Sequence, residues 1–217
     1  MKSFKQFITE KSNEEDTKAF SDTALLIIDM INEFCSPNGW ADANGLDYSY
    51  CQDCVSQIQE AQQYAANNNI PVFWVNWGIK DISSLPKNQF YLWKKKPSDV
   101  GLEAGHFESG SEGVQIIEEL SKAPNDILIE KERISGFFNT NLDTELKKKG
   151  IKKLLLAGVN TDQCVLETMV DGNFLGYDCI LLKDCCATNS PPYCEQAAIY
   201  NANECYGKAL NLNEIKL

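Results

Sequence analysis

The chain has 217 residues, of which 43% are hydrophobic, and its 20 basic and 31 acidic side chains give a net charge of −11. That charge argues against nucleic acid as a main partner, because phosphate binding needs a basic surface. No apolar run approaches the roughly 20 residues that span a membrane. The chain has nine cysteines, too few for a disulfide scaffold, and a single histidine, which excludes metal sites that take two histidines from one chain. These counts indicate a reduced, cytoplasmic protein.

Residues 1–22 form a predicted N-terminal extension. Apolar residues at helical spacing predict a short amphipathic helix over residues 3–10, and the mostly polar residues 11–22 are interpreted as a tether. The favoured interpretation is a helix that docks on its own domain. The alternative is a packaging signal, since the first ten residues resemble the leader peptides that direct internal proteins into the heads of large tailed phages.

From residue 23 onwards, short apolar runs alternate with helical patterns. The predicted strands are residues 24–29, 71–76, 126–130, 154–158 and 179–182, with a weaker sixth near 209–212. The predicted helices are residues 48–66, 114–120, 140–150 with a capping box at its start, 164–175 and 192–206. Repeated strand–helix units predict one α/β domain over residues 23–217, a Rossmann-like three-layer α/β/α fold with a mostly parallel sheet of five to six strands. Residues 78–111 show no clear period, which is typical of a lid or a contact surface.

Three chemically distinct side chains end up at one edge of this sheet. Ligands of open parallel sheets bind beyond the carboxyl ends of the strands, where Asp29, Lys131 and Cys164 follow the first, third and fourth strands. Taken singly, each is more often a helix cap, a solvated side chain or a packing residue, but their convergence favours a catalytic site. A helix N-terminus and Lys131 would favour the Cys164 thiolate, and Asp29 could act as the base that is usually a histidine. The tight turn over residues 158–163 could point backbone N–H groups at a substrate oxygen.

The segments around these residues resemble the isochorismatase-like cysteine hydrolase family over residues 23–212. The motifs that carry the resemblance are IIDMINEF, KERISGFFNT, AGVNTDQCV and LLKDCCAT. Within the family, KERISGFFNT and the first loop are most similar to the ureidoacrylate amidohydrolase branch. The resemblance implies that Asp29, Lys131 and Cys164 form a catalytic triad that acts through a thioester on an amide or ureido carbon.

The resemblance also implies features around the nucleophile and in the assembly. It implies a cis peptide bond between Val159 and Asn160, and an oxyanion hole built from the backbone N–H groups of Asn160 and Cys164. It implies a homodimer or a homotetramer. Nicotinamidases of the family bind a metal through a second histidine, which this chain lacks, so we expect no metal and no cofactor.

Aromatic residues and one asparagine are predicted to bind the substrate. Asn76 ends the second strand and could hydrogen-bond a carbonyl or ureido group. The aromatic side chains on loops beyond the strand ends could wall a pocket for a small planar substrate, although core packing is an equally good interpretation. These aromatic residues are Phe34, Trp40, Trp77, Phe137 and Phe138. The single histidine, His106, is expected to be a surface or structural residue of the loop rather than part of the site.

The leading hypothesis is a metal-independent cysteine amidohydrolase that acts on a small amide or ureido compound, such as a ureidoacrylate-like molecule. One alternative is hydrolysis of a vinyl ether on the same scaffold, which would need no nucleophilic thiol. A second alternative is a catalytically idle family member used as a structural or packaged protein. The expected partner is a small-molecule substrate, with no nucleic acid and no membrane.

Overall fold

A parallel sheet of six strands lies at the centre of the fold. The computed structural model describes residues 22–81 and 107–215, so the predicted N-terminal extension, most of the aperiodic loop and His106 lie outside the described residues. The strands are β1 Thr23–Ile28, β2 Val72–Trp77, β3 Ile127–Lys131, β4 Lys153–Val159, β5 Asp178–Ala187 and β6 Gly207–Leu210. Their order is β3-β2-β1-β4-β5-β6, and each neighbouring pair is parallel. The predicted parallel α/β sheet is therefore confirmed, with the sixth strand two residues earlier than expected.

Helices cover both faces of this sheet. They are α1 Asn32–Cys35, α2 Trp40–Ala43, α3 Gln52–Asn67, α4 Leu142–Lys148, α5 Leu166–Phe174 and α6 Pro192–Asn201. Short 3-10 turns lie at Ser49–Cys51 and Leu212–Glu214, and π-helical turns lie at Thr161–Val165 and Ala202–Tyr206. Among the described residues, no helix is long and apolar enough to cross a membrane.

Strand β1 shows why the sheet needs cover on both sides. Successive side chains of a strand point to opposite faces, and every residue of β1 is buried. Leu25 and Ile27 pack with the apolar face of α3, whereas Leu26 and Ile28 pack in a second core with Leu142 of α4 and residues of α5. A strand that is apolar on both faces is stable only between two helical layers.

The predicted helix over residues 114–120 is wrong. This segment is irregular, and it forms an antiparallel bridge from Ile116 to Ile31 and a hydrogen bond from the Ile117 N–H to the Met30 carbonyl at 3.2 Å. Val114, Ile117 and Leu120 are all buried, which produced the helical spacing. Pairing with the loop after β1 satisfies the backbone in place of a helix.

The predicted capping box at the start of α4 does not form. Asn141 occupies the N-cap position without a side-chain hydrogen bond. The Thr140 hydroxyl accepts a bond from the Leu142 N–H at 3.2 Å and donates to the Gly136 carbonyl at 2.6 Å. Asp143 instead pairs with Lys147 at 2.7 Å. Thr140 thus ties the helix to the segment that follows β3.

Candidate active site

Asp29, Lys131 and Cys164 meet in a buried cluster at the carboxyl ends of β1, β3 and β4. The Lys131 Nζ atom lies 2.8 Å from Asp29 Oδ2 and 3.4 Å from Cys164 Sγ. Its third polar contact is the Arg133 carbonyl at 3.2 Å, so the ammonium lies against three polar groups. The side chains of Lys131 and Asp29 are both fully buried. The structure brings together the three residues that the sequence placed at this edge.

Two backbone features aim Asp29 at this cluster. Asp29 has a φ of 54°, in the left-handed region that few residues other than glycine adopt. The Trp77 N–H donates to Asp29 Oδ1 at 3.1 Å, and the Lys131 ammonium lies 4.2 Å from the centre of the Trp77 ring.

The ends of β1 and β4 approach each other closely at Gly158. A Cβ atom on this residue would lie 2.0 Å from the Ile28 carbonyl oxygen. Only glycine fits where these two strands come so close, and its φ of 112° is also one that favours glycine.

Cys164, the predicted nucleophile, lies in an irregular turn after β4. The peptide bond between Val159 and Asn160 is cis, at the position that the family resemblance implied. Thr161–Val165 then forms a π-helical turn that contains Cys164, before the regular helix α5 begins. Single π-helical turns often occur at functional sites. Helix periodicity did not separate this turn from α5, because both follow the same apolar spacing.

Burial and the Lys131 charge shift the pKa values of Asp29 and Cys164 in opposite directions. Burial raises the pKa of the Asp29 carboxyl, and the Lys131 ammonium opposes this. Burial also raises the pKa of the Cys164 thiol to about 12; Lys131 again opposes it, whereas the Asp29 charge adds to it. Lys131 therefore acts in the predicted direction, but desolvation outweighs it. At neutral pH the resting group is a thiol, not the thiolate that the sequence favoured.

A cavity of about 540 Å³ opens onto Cys164. This volume lies in the range of small-molecule sites, about 300–1,000 Å³. The apolar residues of its lining are Phe34, Trp40, Ala41, Leu46, Trp77 and Ile134. The residues with polar groups, besides Cys164, are Tyr50, Asn160, Asp162, Gln163, Glu167 and Asn189. The lining therefore combines aromatic surface with hydrogen-bonding groups.

The predicted substrate-binding residues divide into two groups. Phe34, Trp40 and Trp77 line the cavity, as the sequence predicted. Phe137 and Phe138 do not: Phe137 stacks on Tyr177 with ring centres 5.8 Å apart, and Phe138 is 52% exposed. The loop after β3, which bends over residues 132–137, leaves both rings outside the cavity lining.

Asn76 also lies outside the cavity lining. Its side chain is buried, and its Oδ1 atom has no hydrogen-bond partner within the described part of the chain. A buried carbonyl oxygen without a donor is unfavourable. A substrate role for Asn76 stays a prediction.

Sequence reasoning missed several residues that shape the site. Phe107 lies among the three aromatic residues of the cavity wall, with ring-centre distances of 5.3 Å to Phe34, 6.0 Å to Trp40 and 5.9 Å to Trp77. The buried Thr168 hydroxyl donates to the Cys164 carbonyl at 2.6 Å and accepts from the Gly136 N–H at 2.9 Å, which ties the β3 loop to the nucleophile turn. Neither residue stands at a strand end, so no local signal marked it.

Comparison with known proteins places this geometry in a family. A family model described as the isochorismatase domain matches residues 23–214. The chain is 32% identical to the ureidoacrylate amidohydrolase RutB of Azorhizobium caulinodans over 199 residues, which cover 87% of this chain and 86% of that protein.

Solved structures show the same fold. A cysteine hydrolase from Pseudomonas syringae pv. phaseolicola has a TM-score of 0.80 at 22% identity, with 92% of each chain covered. An N-carbamoylsarcosine amidase from Thermoplasma acidophilum has a TM-score of 0.69 at 24% identity, with 89% of this chain and 98% of that chain covered. The family model over residues 23–214 and the 32% identity over 87% of this chain show that the chain belongs to the isochorismatase family of hydrolases.

Proposed function

We propose that the chain is a metal-independent cysteine amidohydrolase that cleaves a C–N bond of a small amide or ureido compound. The observation that carries the proposal is the buried contact of Asp29, Lys131 and Cys164 at the wall of a cavity of small-molecule size. The likeness to a ureidoacrylate amidohydrolase supports an amide or ureido substrate.

In the proposed reaction, Cys164 Sγ attacks the substrate carbonyl carbon as Asp29 takes the thiol proton. The raised pKa of the Asp29 carboxyl suits this role, because a base is most effective when its pKa lies near the working pH. With a thiol pKa of about 12, proton transfer accompanies the attack rather than preceding it. Lys131 holds both partners in place. The backbone N–H groups of Asn160 and Cys164 form the proposed oxyanion hole.

Collapse of this intermediate breaks the C–N bond. The proton held by Asp29 passes to the leaving nitrogen, which departs as ammonia or an amine and leaves a thioester on Cys164. Water then attacks the thioester carbon, and Asp29 takes one of its protons. The C–S bond breaks, the proton returns to the sulfur, and the acid product leaves.

The cavity indicates a planar substrate. Its lining combines the aromatic rings of Phe34, Trp40 and Trp77 with the amide side chains of Asn160 and Asn189. A flat amide or ureido group can stack on the rings and hydrogen-bond to the amides.

A screen for ammonia release tests the proposal. Ureido, carbamoyl and simple amide compounds are incubated with the wild-type chain and with Cys164→Ala, and the wild type is quenched during turnover for intact-mass measurement. We expect ammonia from the wild type alone, and a transient mass increase on Cys164 that equals the acyl group. Equal rates in the two proteins would refute the nucleophile. Turnover of a vinyl ether without any adduct would favour the alternative chemistry.

We also propose that the chain acts as a homodimer or homotetramer in the cytoplasm. Phe174, Tyr193 and Tyr200 are 73%, 69% and 65% exposed, respectively, which supports a covered surface in an assembly. The nine free cysteines support a reducing compartment. Light scattering coupled to size-exclusion chromatography measures the assembly mass, and a monomer at micromolar concentration would contradict the first proposal.

A further inference from the structure

A chain of side-chain hydrogen bonds joins three separate loops beside the nucleophile. The Tyr50 hydroxyl donates to Asn160 Oδ1 at 2.5 Å, and Asn160 Nδ2 donates to Asn189 Oδ1 at 3.2 Å. Asn189 Nδ2 then donates to the Asp47 carbonyl at 3.4 Å. Tyr50 lies in the 3-10 turn before α3, Asn160 follows the cis peptide bond, and Asn189 follows β5. Tyr50, Asn160 and Asn189 line the same cavity as Cys164.

The backbone at one end determines the direction of every bond in this chain. The Asp47 carbonyl can only accept, so Asn189 must present its NH₂ group there and its oxygen to Asn160. Asn160 must then present its own NH₂ group to Asn189 and its oxygen to Tyr50. The phenol is thereby required as a donor, and burial raises its pKa far above neutrality, so that the proton stays in place. Only one arrangement of the two amides satisfies all three bonds.

We propose that Tyr50 is a positioning residue for the hydrolysis, acting through Asn160 on the peptide group that precedes the nucleophile turn. This inference rests on the proposed function, in which the Asn160 N–H stabilises the oxyanion. The side chain and the backbone N–H of Asn160 share one Cα atom, so fixing the amide also restrains the direction of the N–H. Tyr50 is a suitable anchor because it is only 7% exposed and packs in the core beside α3.

The effect should fall on the chemical step rather than on binding. A displacement of about 1 Å at a reacting group lowers rates by about 10²-fold, and losing one hydrogen bond allows part of such a displacement. We expect Tyr50→Phe to lower kcat about tenfold and to change KM less than about threefold, since an oxyanion contact forms mainly in the transition state. The alkylation rate of Cys164 should stay within about twofold, because the thiol itself keeps its partners.

Tyr177→Phe is the matched control. The Tyr177 hydroxyl also donates one side-chain hydrogen bond, to Asp143 Oδ1 at 2.9 Å, and the residue is 5% exposed. Tyr177 does not line the cavity, so the same substitution there removes a comparable bond without reaching the site. We expect its kcat to stay within about twofold of the wild type.

A double-mutant comparison tests whether Tyr50 acts through Asn160. If it does, Tyr50→Phe combined with Asn160→Ala has the kcat of Asn160→Ala alone, because the Asn160 amide that Tyr50 restrains is already gone. Should Tyr50→Phe fail to fold, Asn189→Ala opens the same chain from its other end and should show the same fall in kcat at nearly constant KM.

The outcomes separate this inference from the proposed function. A kcat for Tyr50→Phe equal to that of Tyr177→Phe, or multiplying losses in the double variant, would overturn the inference and leave the hydrolase intact. A wild-type chain without Cys164-dependent amide hydrolysis would refute the proposed function, and the inference with it.

Discussion

Replacing Lys131 by methionine should destabilise the protein far more than the same change in an exposed ion pair. The Lys131–Asp29 pair is 0% exposed on both sides, with Nζ and Oδ2 2.8 Å apart. Methionine has a similar length but leaves the Asp29 carboxylate buried without its cation. Removing one partner of a buried pair lowers the free energy of unfolding by about 3–5 kcal/mol.

An exposed pair on helix α4 offers the control. Lys147 lies 2.7 Å from Asp143, but its side chain is 62% exposed. Lys147→Met should lower the free energy of unfolding by less than about 1 kcal/mol. Urea titrations followed by tryptophan fluorescence measure both values under the same conditions.

The destabilisation caused by Lys131→Met should also depend on pH. Lys131 lowers the pKa of Asp29, so Lys131→Met should raise that folded-state pKa still further above the unfolded value. A raised carboxyl pKa stabilises the fold at low pH and loses that contribution as pH rises through the folded pKa. The loss of stability that Lys131→Met causes, measured against the wild type, should therefore be smaller at pH 5 than at pH 8.

Neutralising both partners completes the test. Asp29→Asn combined with Lys131→Met removes the uncompensated charge and should recover part of the loss. If Lys131→Met is no more harmful than Lys147→Met, or if the double variant is as unstable as the single one, the buried ion pair does not control stability as argued.

Four further predictions concern the proposed nucleophile and its surroundings. Asp29→Asn should abolish turnover yet speed alkylation of Cys164 by iodoacetamide, because the Asp29 charge helps to raise the thiol pKa; mass spectrometry measures both, with exposed Cys205 as the internal reference. In the wild type, alkylation of Cys164 should rise about tenfold per pH unit between pH 7 and 9, since its thiol pKa of about 12 lies above that range; a flat profile would contradict a resting thiol. Gly158→Ala should lower the melting temperature and turnover together in thermal and kinetic assays, because its Cβ atom would lie 2.0 Å from a β1 carbonyl oxygen. Phe138→Ser should leave kcat/KM within about twofold of the wild type, since the side chain lies outside the cavity. A larger loss would show that Phe138 contributes to substrate binding.

The sequence was sufficient for the sheet and for the cluster at its edge. Apolar runs such as residues 24–29 record burial on both faces, which is a local pattern set by the two helical layers. In a parallel sheet the strand ends meet at one edge, so the order of Asp29, Lys131 and Cys164 along the chain already implied their proximity. The 2.8 Å contact of Lys131 with Asp29 follows from that topology.

Sequence patterns did not predict the structure of the irregular segments. Residues 114–120 have helical spacing, but their backbone pairs with the loop after β1, a partner distant in sequence. Phe137 and Phe138 follow a strand end, as Trp40 and Phe34 do, yet the irregular loop after β3 leaves them outside the cavity lining. Tyr50 and Asn189 both hydrogen-bond to the Asn160 side chain, yet they are far apart in the chain and come close only through the fold.

By itself, the sequence determined which residues could do chemistry and at which end of the sheet they would gather, because periodicity and chain order are local properties. Only the tertiary structure decided the shape of the cavity and the shifts in the pKa values of Asp29 and Cys164. The pKa of Cys164 illustrates the difference: sequence neighbours and Lys131 favoured a thiolate, but burial, a property of the whole fold, raises it to about 12. Desolvation depends on every atom that packs around the thiol, and no local pattern records that sum.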